Sequence, residues 1–146
     1  MPDTATHVAR SITIEYGGTL PRALGKNRGD KSHWSYRSIE TKNLREVGEM
    51  SVREAWAKAR LWVPRDRRSA GFFPKATIEV TQYWCRKPMD VSGLASASAP
   101  LVDGFMDAGV IEDDGPGVVV ETRYAHVRVP HLPEAKIVVT CTEVLA

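Results

Sequence analysis

Two stretches of the chain alternate apolar and polar residues, and each alternation predicts a strand. Residues 11–16 (SITIEY) place Ile12 and Ile14 on one face, the period-2 pattern of a half-buried strand. Residues 76–84 (ATIEVTQYW) set Ile78 and Val80 against Thr77, Glu79 and Thr81, the clearest strand pattern present. Residues 118–129 and 137–144 read as two more strands, and the Pro130–Pro133 turn between them predicts an antiparallel hairpin. A different period governs residues 39–63, where Leu44, Val47, Val52, Ala55, Trp56 and Ala59 make an approximately helical stripe closed by Pro64. A second helix is expected from Ser98 or Ala99 to Ala108, with Ser98 as N-cap, Pro100 in the first turn and Gly109 as the left-handed residue beyond the end. Leu101, Val102, Phe105 and Met106 form its apolar stripe.

The expected order is β-loop-α-β-α-β-β. It describes one small α+β domain over residues 11–146, with a mixed sheet and two main helices, after a flexible N-terminus at 1–10. The loop at 17–36 is polar and basic and is punctuated by Gly17, Gly18, Pro21, Gly25 and Gly29. At 146 residues and 42% hydrophobic content, the chain suffices for a single core. No apolar run approaches the roughly 18 residues of a membrane span, and no signal-peptide pattern opens the chain. Cys85 and Cys141 lack zinc or disulfide-framework spacing, which suits a reducing cytoplasm.

Charge changes this picture. The formal net charge is only +2, yet residues 22–75 carry 14 Lys/Arg against 6 Asp/Glu, and residues 76–146 carry 5 against 10. Residues 100–117 (PLVDGFMDAGVIEDDGPG) gather Asp103, Asp107, Glu112, Asp113 and Asp114, with Asp90 just upstream. Close carboxylates repel one another unless a cation or a proton is shared between them. An acidic centre beside a basic surface is what metal-dependent cleavage of a polyanion requires, and nucleic acid is the commonest such polyanion.

Several residues carry two readings. Asp103 and Asp107, four apart on a helix, share a face that is ordinarily solvated. Asp113-Asp114, before Gly115-Pro116, reads as a turn former or as a metal-binding pair. Arg65, Arg67 and Arg68 are solvated charges by default, but three within four residues suit phosphate contact. His33 and His126 have no metal spacing. Trp56, Trp62, Phe72 and Phe73 stand near element ends and fill either the core or a subunit interface.

The run from Asp103 to Asp114 (DGFMDAGVIEDD) resembles the signature of RusA-type Holliday-junction resolvases, especially their divergent phage and prophage members. Leu20-Pro21 followed by Asn27-Arg28 and His33-Trp34 is similar to the family's N-terminal loop, and the closing IVVTCTEV to its last strand. The resemblance spans residues 11 to 144, and only the DAGV-x-x-DD segment is specific. It implies a small α+β homodimer that nicks four-way or branched DNA with magnesium, manganese being a possible substitute, in the cytoplasm of a bacterial or phage-infected cell. It assigns Asp90 as the first catalytic aspartate and Asp113 and Asp114 as the acidic pair, with Asp90 and Asp114 holding the metal. It also places Asn27, Arg28 and Lys31 against DNA, where Arg65, Arg67 and Arg68 join them. The order strand–Asp90–helix–Asp114 leads to the expectation that these two carboxylates share one cation. Ser92 stands where the family has a second aspartate and Gly93 where it has an asparagine, and no lysine occurs between Lys87 and Lys136. The alternative is therefore a junction-binding protein of the same fold that has lost catalysis.

Overall fold

Ile12 and Ile14 are buried in β1 (Ser11–Gly17), while Ser11, Thr13 and Glu15 are exposed, as a strand covered on one face requires. The computed structural model describes residues 9–18, 20, 34–59 and 72–145, with backbone only at 34–37. The elements that follow are α1 (Trp34–Lys58), β2 (Ala76–Trp84), α2 (Val91–Asp107), β3 (Val119–Arg128), a short 3-10 turn (Leu132–Glu134) and β4 (Lys136–Glu143). Together they form the expected single α+β domain, with a four-stranded mixed sheet and two helices.

The sheet order is β1-β4-β2-β3. β4 runs antiparallel to both β1 and β2, and β3 runs parallel to β2. The expected hairpin between the last two strands is therefore absent, because β2 lies between them. Burial accounts for the placement. β4 buries Ile137, Val139 and Cys141 and takes a central position, whereas β3 exposes most of its side chains and takes an edge. Leu44 and Val52 of α1 and Leu94, Ala97, Leu101 and Phe105 of α2 close the core over the sheet. Burying those groups supplies the main stabilisation, about 1.5–3 kcal/mol for each large side chain. Burial also pushes the Cys141 thiol up to about 12, so Cys141 serves as a small core residue.

Two further expectations change. Helix α2 begins at Val91, well before Ser98, because Asp90 caps it. Pro100 then lies inside the helix, where it removes one N–H from the ladder, and Ser98 is fully buried with no hydrogen-bond partner for its hydroxyl among the described residues. Gly109 does adopt the expected left-handed conformation, with φ of 85°. Val47 does not join the buried stripe of α1 and is 41% exposed. Of the aromatics read as core or interface, Phe73 belongs to the core and Phe72 packs against it partly buried. Phe73 is fully buried, and Phe72 stacks between it and Trp56 at ring-centroid distances of 5.0 and 5.2 Å. The Arg10 guanidinium lies 4.1 Å from the centre of the Phe72 ring and forms a two-pronged ion pair with Glu143 at 2.8 Å.

The two helices meet at Gly48 and Gly104. A Cβ on Gly104 would lie 2.6 Å from Glu49 N and 2.8 Å from Gly48 Cα, and one on Gly48 would lie 2.9 Å from Leu101 O. Those neighbours are backbone and cannot rotate away. Gly104→Ala should therefore destabilise the protein by about 1–3 kcal/mol in urea unfolding, while Gly117→Ala, whose Cβ meets nothing within 4 Å, should change stability by less than about 0.5 kcal/mol. Equal effects would show that the helices have room to separate.

Candidate functional site

The acidic residues divide between the two ends of α2. At its N-terminal end, Gln82 in β2 accepts a hydrogen bond from Met89 N through Oε1 at 3.1 Å. The Met89 carbonyl oxygen lies 2.8 Å from His126 Nε2 in β3. These contacts fix the chain just before Asp90, whose Oδ1 accepts from Gly93 N at 2.6 Å and caps the helix. Asp90 is exposed, and one of its carboxylate oxygens is committed to the cap. His126 therefore has a positioning role that no local spacing reveals, since Met89 is 37 residues away in sequence.

At the C-terminal end the organising group is Arg45 of α1. Its Nε and Nη2 donate to Asp107 Oδ2 and Oδ1 at 2.6 and 2.8 Å, and its Nη1 lies 3.5 Å from Asp103 Oδ2. Arg53 donates from Nη2 to the Asp107 carbonyl at 3.3 Å. Asp103 and Asp107 are thus not a simple solvated face. They share a guanidinium, and their side chains are about three-quarters covered, with 25% and 24% exposure. The Arg45 hydrogen bonds hold the Asp107 carboxyl below the usual carboxylate range. Burial pushes the Asp103 carboxyl up; Arg45 opposes this, while Asp114 and Asp107 add to it. Asp114 therefore belongs to this end of the helix. Asp113 accepts from Gly115 N at 2.8 Å and closes the turn, and Gly115 O then receives Val118 N and Val119 N at the entry to β3.

Asp90 and Asp114 are not brought together within the chain. Helix α2 has 17 residues, about 25 Å of axis, and the two residues lie at opposite ends of it. The sheet register agrees, because β3 enters beside Ala76, where β2 begins, and ends beside Trp84, just before the turn that leads to Asp90. A β-strand followed by a helix and a parallel strand returns the chain to the end where it started. Among the described residues no three His, Cys, Asp or Glu side chains converge in a way that could hold a metal ion. Asp90 and Asp114 of one chain, set at opposite ends of α2, are therefore not placed to share one magnesium ion. Asn27, Arg28, Lys31, Arg65, Arg67 and Arg68, like His33 and Trp62, lie outside the described residues. No described helix is long and apolar enough to cross a membrane.

The two helix aspartates should respond to substitution with opposite signs. The Asp107 carboxyl is held low, so its contribution is present above the ordinary carboxylate value of 3.8 and is lost as pH falls through its lower folded value. Asp103 is raised, so its ionisation opposes folding as pH climbs past 3.8. At pH 7, Asp107→Asn should cost about 1 kcal/mol, a difference that shrinks by pH 3, while Asp103→Asn should be neutral or stabilising. Urea unfolding at the two pH values measures both, and a loss on Asp103→Asn that equals that on Asp107→Asn would contradict the assignment.

Compared with models of known protein families and with curated proteins, the chain matches none.

Proposed function

We propose that this protein recognises four-way or branched DNA in the cytoplasm and nicks it with a divalent cation, magnesium or manganese, in the manner of the RusA-type resolvases that its Asp103–Asp114 segment resembles. One arrangement carries the reading. β2, Asp90, α2, the Asp113-Asp114 turn and β3 form one parallel β-α-β unit with carboxylates at each end, in a chain whose first half is strongly basic. Basic residues neutralise phosphates and release counterions, which drives association. Exposed carboxylates beside a bound backbone are the groups from which such nucleases build their reactive centre. Because Asp90 and Asp114 of one protomer are a helix length apart, no cleavage step is assigned to a single protomer.

A second reading is DNA binding without cleavage. It is favoured by the capping bond of Asp90 to Gly93 N, by Ser92 and Gly93 at positions where the family carries an aspartate and an asparagine, and by the lack of lysine between Lys87 and Lys136. A missing cation near the scissile phosphate removes stabilisation of the charge that develops there.

Labelled four-way junctions incubated with the protein in magnesium, and then in EDTA, separate the two. Nicking that EDTA abolishes supports cleavage. A mobility shift without nicking supports binding alone, and neither result on junctions rejects both readings. If cleavage is real, Asp90→Asn and Asp114→Asn should each abolish nicking and leave the mobility shift intact, because each removes negative charge near phosphate. Junction affinity should fall at least about tenfold between 50 and 200 mM salt, and charge reversal at Arg65, Arg67 and Arg68 should flatten that slope. An unchanged slope would turn attention to Arg28 and Lys31.

A further inference from the structure

The cations that the fold leaves without a carboxylate gather at one end of the sheet. Among the described residues, Arg10, Arg45, Arg53, Lys58, Arg123 and Lys136 each stand 2.6–3.6 Å from a carboxylate oxygen. Lys42, Lys75, Arg86, Lys87 and Arg128 have no such partner there. Three of these border the turn from β2 to α2. Arg86 and Lys87 lie in the turn itself, and the strand register sets Arg128 beside Trp84, where Val129 N donates to Trp84 O at 2.8 Å. All three are exposed, and Asp90, the one carboxylate in residues 84–90, already caps α2. A cluster of one charge sign that the fold does not neutralise attracts ions of the other sign.

A second feature stands among them. Trp84, the last residue of β2, is half-buried, and Arg128 Cζ lies 5.5 Å from the centre of its ring. The negative face of an indole holds a cation placed over it, so a guanidinium and a flat aromatic surface sit side by side here. Charge alone suits any polyanion. A part-exposed indole beside three unpaired cations suits a polyanion whose units each carry a phosphate and a planar base.

We propose that this end of the sheet binds an unpaired DNA strand, with Arg86, Lys87 and Arg128 against its phosphates and Trp84 stacked on one of its bases. In a duplex each base is covered on both faces by its neighbours, whereas a single strand can turn a base out onto an aromatic side chain. Branched DNA supplies such a strand where its arms part. The assignment rests on the DNA-binding function proposed above, and adds to it the place of contact and the state of the strand. Contact falls beside Asp90 and away from Asp114, since Trp84 ends β2 while β3 enters beside Ala76, at the other end of that strand.

Fluorescence anisotropy of a labelled thymidine strand of about 20 nucleotides, titrated with the full chain in EDTA, reads this surface without cleavage. Wild type should bind the strand at least about tenfold more tightly than a duplex of the same length. Trp84→Ala should weaken strand binding by about tenfold, while Trp84→Phe, which keeps an aromatic face, should stay within about threefold of wild type. Arg86→Gln with Lys87→Gln removes two phosphate contacts and should lower the slope of log affinity against log salt by about 1.4. Lys75→Gln removes an unpaired cation from the far end of β2 and should leave that slope unchanged. Equal affinity for strand and duplex overturns the proposal, as does an equal loss in both Trp84 variants, or a slope that the double variant does not change. Absence of any strand binding overturns it too. Junctions neither shifted nor nicked, alongside strand binding that follows these variants, would reject the function proposed above and keep the surface. Junction nicking by a protein whose strand binding ignores them would do the reverse.

Discussion

The close crossing of α1 and α2 at Gly48 and Gly104 is the contact on which the rest of this structure depends. Neither position tolerates a Cβ, because the obstacle in each case is the backbone of the facing helix. Helices normally pack 8–10 Å apart, with side chains setting the gap. Glycines at the crossing let the axes come nearer, and α2 favours this with its run of small residues at Gly93, Ala97, Ser98 and Gly104. The proximity brings Arg45, three residues before Gly48, within reach of Asp103 and Asp107, and Arg53 within reach of the Asp107 carbonyl. The cation that the acidic helix needs is thus supplied first by the protein itself.

That pairing changes what the acidic segment offers. Of the carboxylates along α2 and its flanks, Asp107 is tied bidentately to Arg45, Asp113 closes a turn onto Gly115, and Asp90 caps the helix. Each of these contacts satisfies backbone or side-chain charge within the fold and draws on the same oxygen atoms that would ligate an ion. Asp114 is exposed, and its charge helps to raise Asp103. The parallel arrangement of β2 and β3 then keeps Asp90 away from this group by the length of the intervening helix.

The polarity of β3 accounts for its place at the sheet edge. A strand with Glu121, Thr122, Arg123, His126 and Arg128 is too polar for the middle of a sheet. At the edge, the same charges discourage unspecific strand addition. His126 also ties β3 to the turn before Asp90.

Much of the local structure was legible in the chain. Alternation in SITIEY and ATIEVTQYW marked β1 and β2, Gly109 marked the end of α2, and Leu101 and Phe105 marked its buried face, because each signal depends on neighbours within a turn or on a simple period. The acidic residues were equally plain as a cluster in sequence. Their distribution in space was not. Ser98-Ala99-Pro100 imitated a helix start, while Asp90, capping through Gly93 N, supplied the real one. Pro130 and Pro133 imitated a hairpin turn, while the burial of Ile137, Val139 and Cys141 drew β4 between β1 and β2. Arg45 looked like any surface arginine until Gly48 and Gly104 brought α1 against α2. Periodicity and capping residues act over a few positions and so are written in the sequence. Strand order, helix contact and the separation of Asp90 from Asp114 arise from contacts between distant segments, which only the folded chain brings together.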